Sequence, residues 1–196
     1  MLLWLFFRPN QAFEVLSNTR PTANAVFFKL VIWLAAIPPV LAYIGGAKFG
    51  WRLGAAEPLY LAQDVLLKIS IAYFVALLLG FVSTAIIAKW MASTYGARLS
   101  LGIHYAMVSI VGAPLVVGSI IHLYPDMFIN VLVLVPALIW SMFLLYKGLP
   151  VVFRISPERG MLMASSMIGY LLVAFVCLLG VMVVLWGRGF GPAVGI

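Results

Sequence analysis

Five long apolar runs, separated by short polar stretches, dominate the chain: Val26 to Ala47, Ile69 to Ala88, Leu101 to Leu123, Met127 to Tyr146 and Gly160 to Trp186. Each meets the length of about 20 predominantly apolar residues that a transmembrane helix needs. The pattern predicts an all-α fold, a polytopic membrane bundle of five transmembrane helices. A sixth apolar stretch, MLLWLFF, opens the chain but is too short to span. Its positive charge, Arg8, follows the apolar run where a signal peptide carries it before, and no small-residue cleavage site comes next, so retention on the mature protein is expected. With Pro9 opening a short helix to about Ser17, this segment is expected to lie along the interface, Trp4 and the Phe residues dipping into lipid. The expected division is an interfacial segment over residues 1–25, a membrane domain over 26–187 and a short tail over 188–196.

The polar stretch after the fourth run, KGLPVVFRISPERG, reads as helix punctuation. Gly148 and Pro150 are expected to end the fourth span, because proline lacks the donor a continuing helix needs. Ser156 reads as an N-cap, Pro157 as the first helical residue and Glu158 as an acid favourable to the helix dipole. Arg159 in the same turn opposes that dipole, so helix stability explains neither it nor Lys147 and Arg154.

Composition agrees with the pattern. The 196 residues are 65% hydrophobic and 9% charged, with a mean hydropathy of +1.17, where a soluble domain carries about 25% charged residues. The net charge of +7 would suggest nucleic acid in a soluble chain, but here the cations sit at the ends of apolar runs and act as topology signals. Nucleic acid is not an expected partner. With the N-terminus inside, eight cations fall on the cytoplasmic side (Arg8, Arg20, Lys29, Lys89, Arg98, Lys147, Arg154, Arg159) and four outside (Lys48, Arg52, Lys68, Arg188). The expected orientation is N-terminus cytoplasmic and C-terminus periplasmic, although three outside cations between Lys48 and Lys68 run against the rule. Cys177, alone and inside an apolar run, offers no disulfide framework and no cysteine-based metal site.

Candidate chemistry is sparse. The cations Lys89, Arg98, Lys147, Arg154 and Arg159 should share one cytoplasmic surface and form a patch for anionic lipid headgroups or a partner protein. Pro38 and Pro39 fall mid-span in the first helix and should kink it between Leu34 and Pro39 by removing two donors. The same break is what a transporter would use to expose carbonyls to a solute. Ala72, Ala76, Gly80, Thr84 and Ala88 recur every fourth residue and read as a strip for close helix packing, within the chain or by self-association. His104 and His122 share a face of the third run but stand about 27 Å apart along it; one metal cannot bind both, and each is expected to stay hydrated at an interface end. Ser119, His122 and Asp126 only superficially resemble a hydrolase triad, Asp126 being placed as the N-cap of the fourth span. Neither GxSxG nor HExxH occurs, and no Asp, Glu, Lys or Arg lies deep in a span, where ion-coupled transporters place them. No catalytic, metal or cofactor site is expected.

The helix ends themselves resemble a known family. LLYKGLPVVF closing the fourth span, ERG in the following turn, ASSMIGYLL opening the fifth and HLYPD closing the third are together similar to the Yip domain family, with Arg8-Pro9 and Trp186-Gly187 matching its short bacterial inner-membrane branch. The resemblance implies five spans and a bacterial inner-membrane location. Eukaryotic members contact prenylated small GTPases and carry a longer cytoplasmic N-terminal region with an Asp-Leu-Tyr-Gly-Pro motif; this sequence has neither that region nor that motif, so that partner is not implied. The expectation is a non-enzymatic membrane-organising or scaffold protein. The alternative is a transporter or channel for a small or lipidic solute.

Overall fold

The computed structural model describes residues 9–52, 54 and 57–188; MLLWLFF, Arg8 and most of the tail over 188–196 lie outside them. It is all-helical apart from two isolated β-bridges among the described residues. A short α1 (Pro9–Asn18) precedes five helices long and apolar enough to cross a membrane: α2 (Ala23–Phe49), α3 (Gln63–Thr94), α4 (Leu101–Leu123), α5 (Met127–Phe153) and α6 (Pro157–Gly187). These helices are apolar on nearly every face. Large side chains such as Trp33, Leu79, Phe128 and Val183 are exposed on the bundle exterior, as suits helices solvated by lipid.

α4 is the central helix. It packs against α3, α5 and α2, and α1 closes over α5 and α4. The core gathers toward one end of the bundle, where Phe13, His104, Met107, Leu144, Leu149 and Met163 are fully buried. α6 contributes to it through Gly160, Met163, Ala164 and Met167, all in its first three turns; beyond them it is largely bare of protein contact. Bundle packing in lipid relies on close fit of small residues, and Gly148 is such a point: an added Cβ there would lie 2.5 Å from Met107 Cε and 2.6 Å from Phe13 Cε1.

Several helix ends form as the sequence predicts. Ser156 Oγ accepts from Arg159 N–H (3.4 Å), and Asp126 Oδ1 accepts from Ile129 N–H (3.0 Å), each satisfying one orphan donor of a first turn. The fourth span corrects the expectation at Gly148 and Pro150, since α5 continues through both to Phe153. Pro150 forgoes one donor, but its ring packs on Gly160 and its carbonyl accepts from the N–H groups of Arg154 and Ile155. The helix stops one turn later, where Arg154 adopts a left-handed conformation (φ 52°).

In the first span the α-helix over Ile32–Phe49 continues through Pro38 and Pro39, and a π-turn at Phe27–Val31 lies nearer the start of α2. Both prolines are buried, as are Leu34 and Ala35, whose carbonyls lose their donors. Packing thus holds the helix together where propensity alone would break it.

The small-residue strip is also divided. Thr84 and Ala88 are buried, joined by Ala85 and Ala92, whereas Ala72 is exposed and nothing lies within 4 Å of a Cβ added at Gly80. Ala76 is half-buried. The packing face of α3 therefore keeps the four-residue repeat from Thr84 through Ala88 to Ala92, and the outer half of the strip is not packed within the chain.

Candidate functional site

The two ends of the bundle differ in charge, and the end holding the α3–α4 and α5–α6 turns is the basic one. Gly96 turns the chain after α3 with φ +93°, a conformation glycine adopts without steric cost. The space a side chain would occupy there is taken by Arg159, whose Nη1 would lie 3.2 Å from an added Cβ. That contact brings the α5–α6 turn onto the α3–α4 turn, and Arg98 sits two residues further on. Lys89 and Lys147 are exposed about one turn before the last turns of α3 and α5, toward the same end.

Arg154 is diverted to another task. Its Nη2 donates to Asn18 Oδ1 (2.7 Å) and to the Ser17 carbonyl (3.3 Å), clamping the C-terminus of α1, where a cation also complements the helix dipole. Of the five residues predicted to form the patch, Arg98 and Arg159 converge, Lys89 and Lys147 flank them, and Arg154 is spent on structure.

Sequence reasoning omitted Arg20. It stands at the entry to α2, and with Arg98 it lines a cleft of about 280 Å³ between the strand of chain leading into α2 and that leading into α4. The signal was present, because each Arg lies three residues before a helix start; the crossing of the two segments was not. Gly102 makes that crossing possible, since a Cβ there would run into the Pro21 carbonyl.

At the opposite end Arg52 and Lys68 have side-chain partners. Arg52 donates to Tyr124 Oη (3.3 Å) and stacks over its ring (5.7 Å), Lys68 pairs with Asp64 (3.2 Å), and the backbone of Arg52 bonds to Pro125 and Met127. Among the described residues Lys68–Asp64 is the ion pair present, so no cation of the basic end has a carboxylate partner there.

The histidines fall into different settings. His104 is fully buried, against the expectation of hydration at a helix end, because Phe153 packs on its ring (4.8 Å) and its Nδ1–H donates to the Ser100 carbonyl (2.9 Å). His122 Nδ1 donates to Asn130 Oδ1 (2.5 Å) and its Nε2 faces Tyr73 Oη (3.3 Å). Ser119 Oγ donates to the Val116 carbonyl (2.6 Å) and Asp126 caps α5. The three residues of the apparent triad therefore point to three separate partners.

Comparison with known proteins decides the family. The family model described as Yip1 domain matches residues 4–178. The chain belongs to the Yip1 domain family. Within it, the chain is similar to the inner membrane protein YohC of Escherichia coli K12 and of Escherichia coli O6:H1, in each case 30% identical over 186 residues covering 95% of both chains. No solved structure matches significantly. The Yip1 match takes in α1 to α5 and α6 as far as residue 178, about three turns beyond its last buried residue, Met167.

Proposed function

We propose that this multi-pass Yip1-domain protein is a non-enzymatic membrane-organising scaffold of the bacterial inner membrane, oriented with its basic end in the cytoplasm. The observation that carries the reading is the convergence of Arg20, Arg98 and Arg159 at one end of the bundle without a carboxylate partner among the described residues, whereas at the other end Lys68 pairs with Asp64 and Arg52 is held by Tyr124. Free juxtamembrane cations are worth about 1 kcal/mol each near an anionic surface. Of the three cations that run against this orientation, Lys68 is paired with a carboxylate and is the weaker orienting signal. The name of the Escherichia coli relatives supports the location.

In a Cys177→Ala background, a cysteine at Gly187 should be modified by an impermeant reagent from outside and one at Ser156 should be protected. The reverse pattern overturns the orientation. Photocrosslinking in native membranes should recover anionic lipid or an acidic partner at the basic end, and Lys89→Glu with Arg159→Glu should reduce that recovery. Undiminished recovery contradicts the scaffold reading.

A second reading rests on an apolar groove of about 410 Å³ between α2 and α3, lined by Pro39, Tyr43, Ser70 and Phe74 and open to the exterior. It would suit a lipidic solute. Lipid or solute flux in reconstituted liposomes, lost in a Ser70→Leu variant that still folds, would favour it over the scaffold.

A further inference from the structure

The cleft at the crossing of the α2 and α4 entries has walls of known chemistry. Arg20 stands on one side and Arg98 on the other, and neither guanidinium meets a protein acceptor among the described residues. Ser100 has the extended backbone of an N-cap, yet its hydroxyl makes no capping bond; its carbonyl is instead fixed by His104. The Thr22 hydroxyl accepts from Ala25 N–H (3.4 Å), which leaves its own proton free to donate. The positions are held rigidly, because Gly102 lets the two backbones touch and His104, anchoring Ser100, is fully buried.

We infer that this cleft binds the phosphate group of an anionic ligand, and this deepens the scaffold reading on which it rests. Two guanidinia offer planar donor forks that match phosphate oxygens bidentately, a geometry ammonium groups do not supply. The hydroxyls of Ser100 and Thr22 add donors. The first turns of α2 and α4 open onto the same space and favour negative charge, although the arginines and the cavity carry the argument. The volume of about 280 Å³ lies at the lower edge of small-molecule sites, enough for a phosphate and its ester substituents. The cleft sits three residues before the start of two spanning helices, the depth of lipid headgroups. The phosphate can therefore come from a phospholipid or from a soluble phosphate compound.

The test uses the full chain, with Arg20→Gln/Arg98→Gln as the variant and Lys48→Gln, exposed at the opposite end, as the control. In one arm the protein is reconstituted in zwitterionic nanodiscs containing phosphatidylglycerol, and bound anionic lipid is counted by native mass spectrometry. In the other, inorganic phosphate and glycerol phosphate are titrated into protein in neutral detergent. The double variant should bind tenfold or more weakly in at least one arm, Lys48→Gln should bind as the parent does, and binding should weaken with added salt. Loss in the first arm alone identifies a lipid headgroup, and loss in the second alone a soluble phosphate; both support the site. Because both arginines are exposed, the variant should fold, and its thermal unfolding in detergent checks this. Arg98→Lys provides a second variant that keeps charge but loses the fork, with an intermediate affinity expected. Parent-like binding by the double variant in both arms overturns the cleft while leaving the basic-face reading intact. Absence of anionic lipid enrichment and phosphate binding in the parent overturns both.

Discussion

The basic end and its opposite each carry several Lys and Arg residues where apolar helices stop, yet they use them differently. At the opposite end, Arg52 lies over Tyr124 and fastens a loop to the approach to α5, while Lys68 joins Asp64 within the first turns of α3. Among the described residues of the basic end Arg154 has such a task, at the end of α1, while Arg20 and Arg98 line a cleft without a carboxylate partner. The difference teaches that a count of cations does not reveal function. The availability of each cation does.

The largest expected effects come from the backbone crossings that hold each end together. Gly45 packs against the His122 carbonyl as Gly102 does against that of Pro21, and a side chain at either position must displace backbone. Gly45→Val and Gly102→Val should each destabilise the detergent-solubilised protein by about 3 kcal/mol, in the upper range for overpacking. Gly80→Leu, with nothing within 4 Å, should unfold at the parent temperature. A matching loss at Gly80 would show that the outer part of the strip is a packing surface between copies.

Smaller effects separate the two uses of arginine. Arg154→Ala should free the end of α1 and cost about 1 kcal/mol, since the clamp is exposed, and limited proteolysis should then cut near Asn18. Arg52→Ala should cost about 1 kcal/mol through loss of the Tyr124 contact without changing cleavage at Asn18. Equal proteolysis of both variants would erase the distinction between the ends.

The smallest effect is expected at Pro38 and Pro39. Replacing both with Ala restores two donors for Leu34 and Ala35 but removes buried rings, changes that offset to within about 1 kcal/mol. Thermal unfolding should shift little and liposome flux should not change. Lost flux with an intact fold would favour the transporter.

Span positions were legible because lipid demands length and apolarity and little else. The third run, Leu101 to Leu123, has the same bounds in the structure, and the caps at Asp126 and Ser156 were readable because capping is local. What the sequence concealed depends on distant contacts. Pro150 reads as a helix stop until Gly160 is seen beneath its ring. Arg154 reads as a free charge until Asn18, 136 residues away, is found at its guanidinium. The cleft was invisible for the same reason, since Arg20 and Arg98 become neighbours only through the crossing at Gly102.

The most direct test of unequal availability is to neutralise three cations at each end and count co-purifying anionic lipid. Arg98→Gln, Lys147→Gln and Arg159→Gln together should remove most of the bound anionic lipid, while Lys48→Gln, Arg52→Gln and Lys68→Gln together should leave it near the parent level. Equal loss from the two triple variants, or greater loss from the second, would contradict the account.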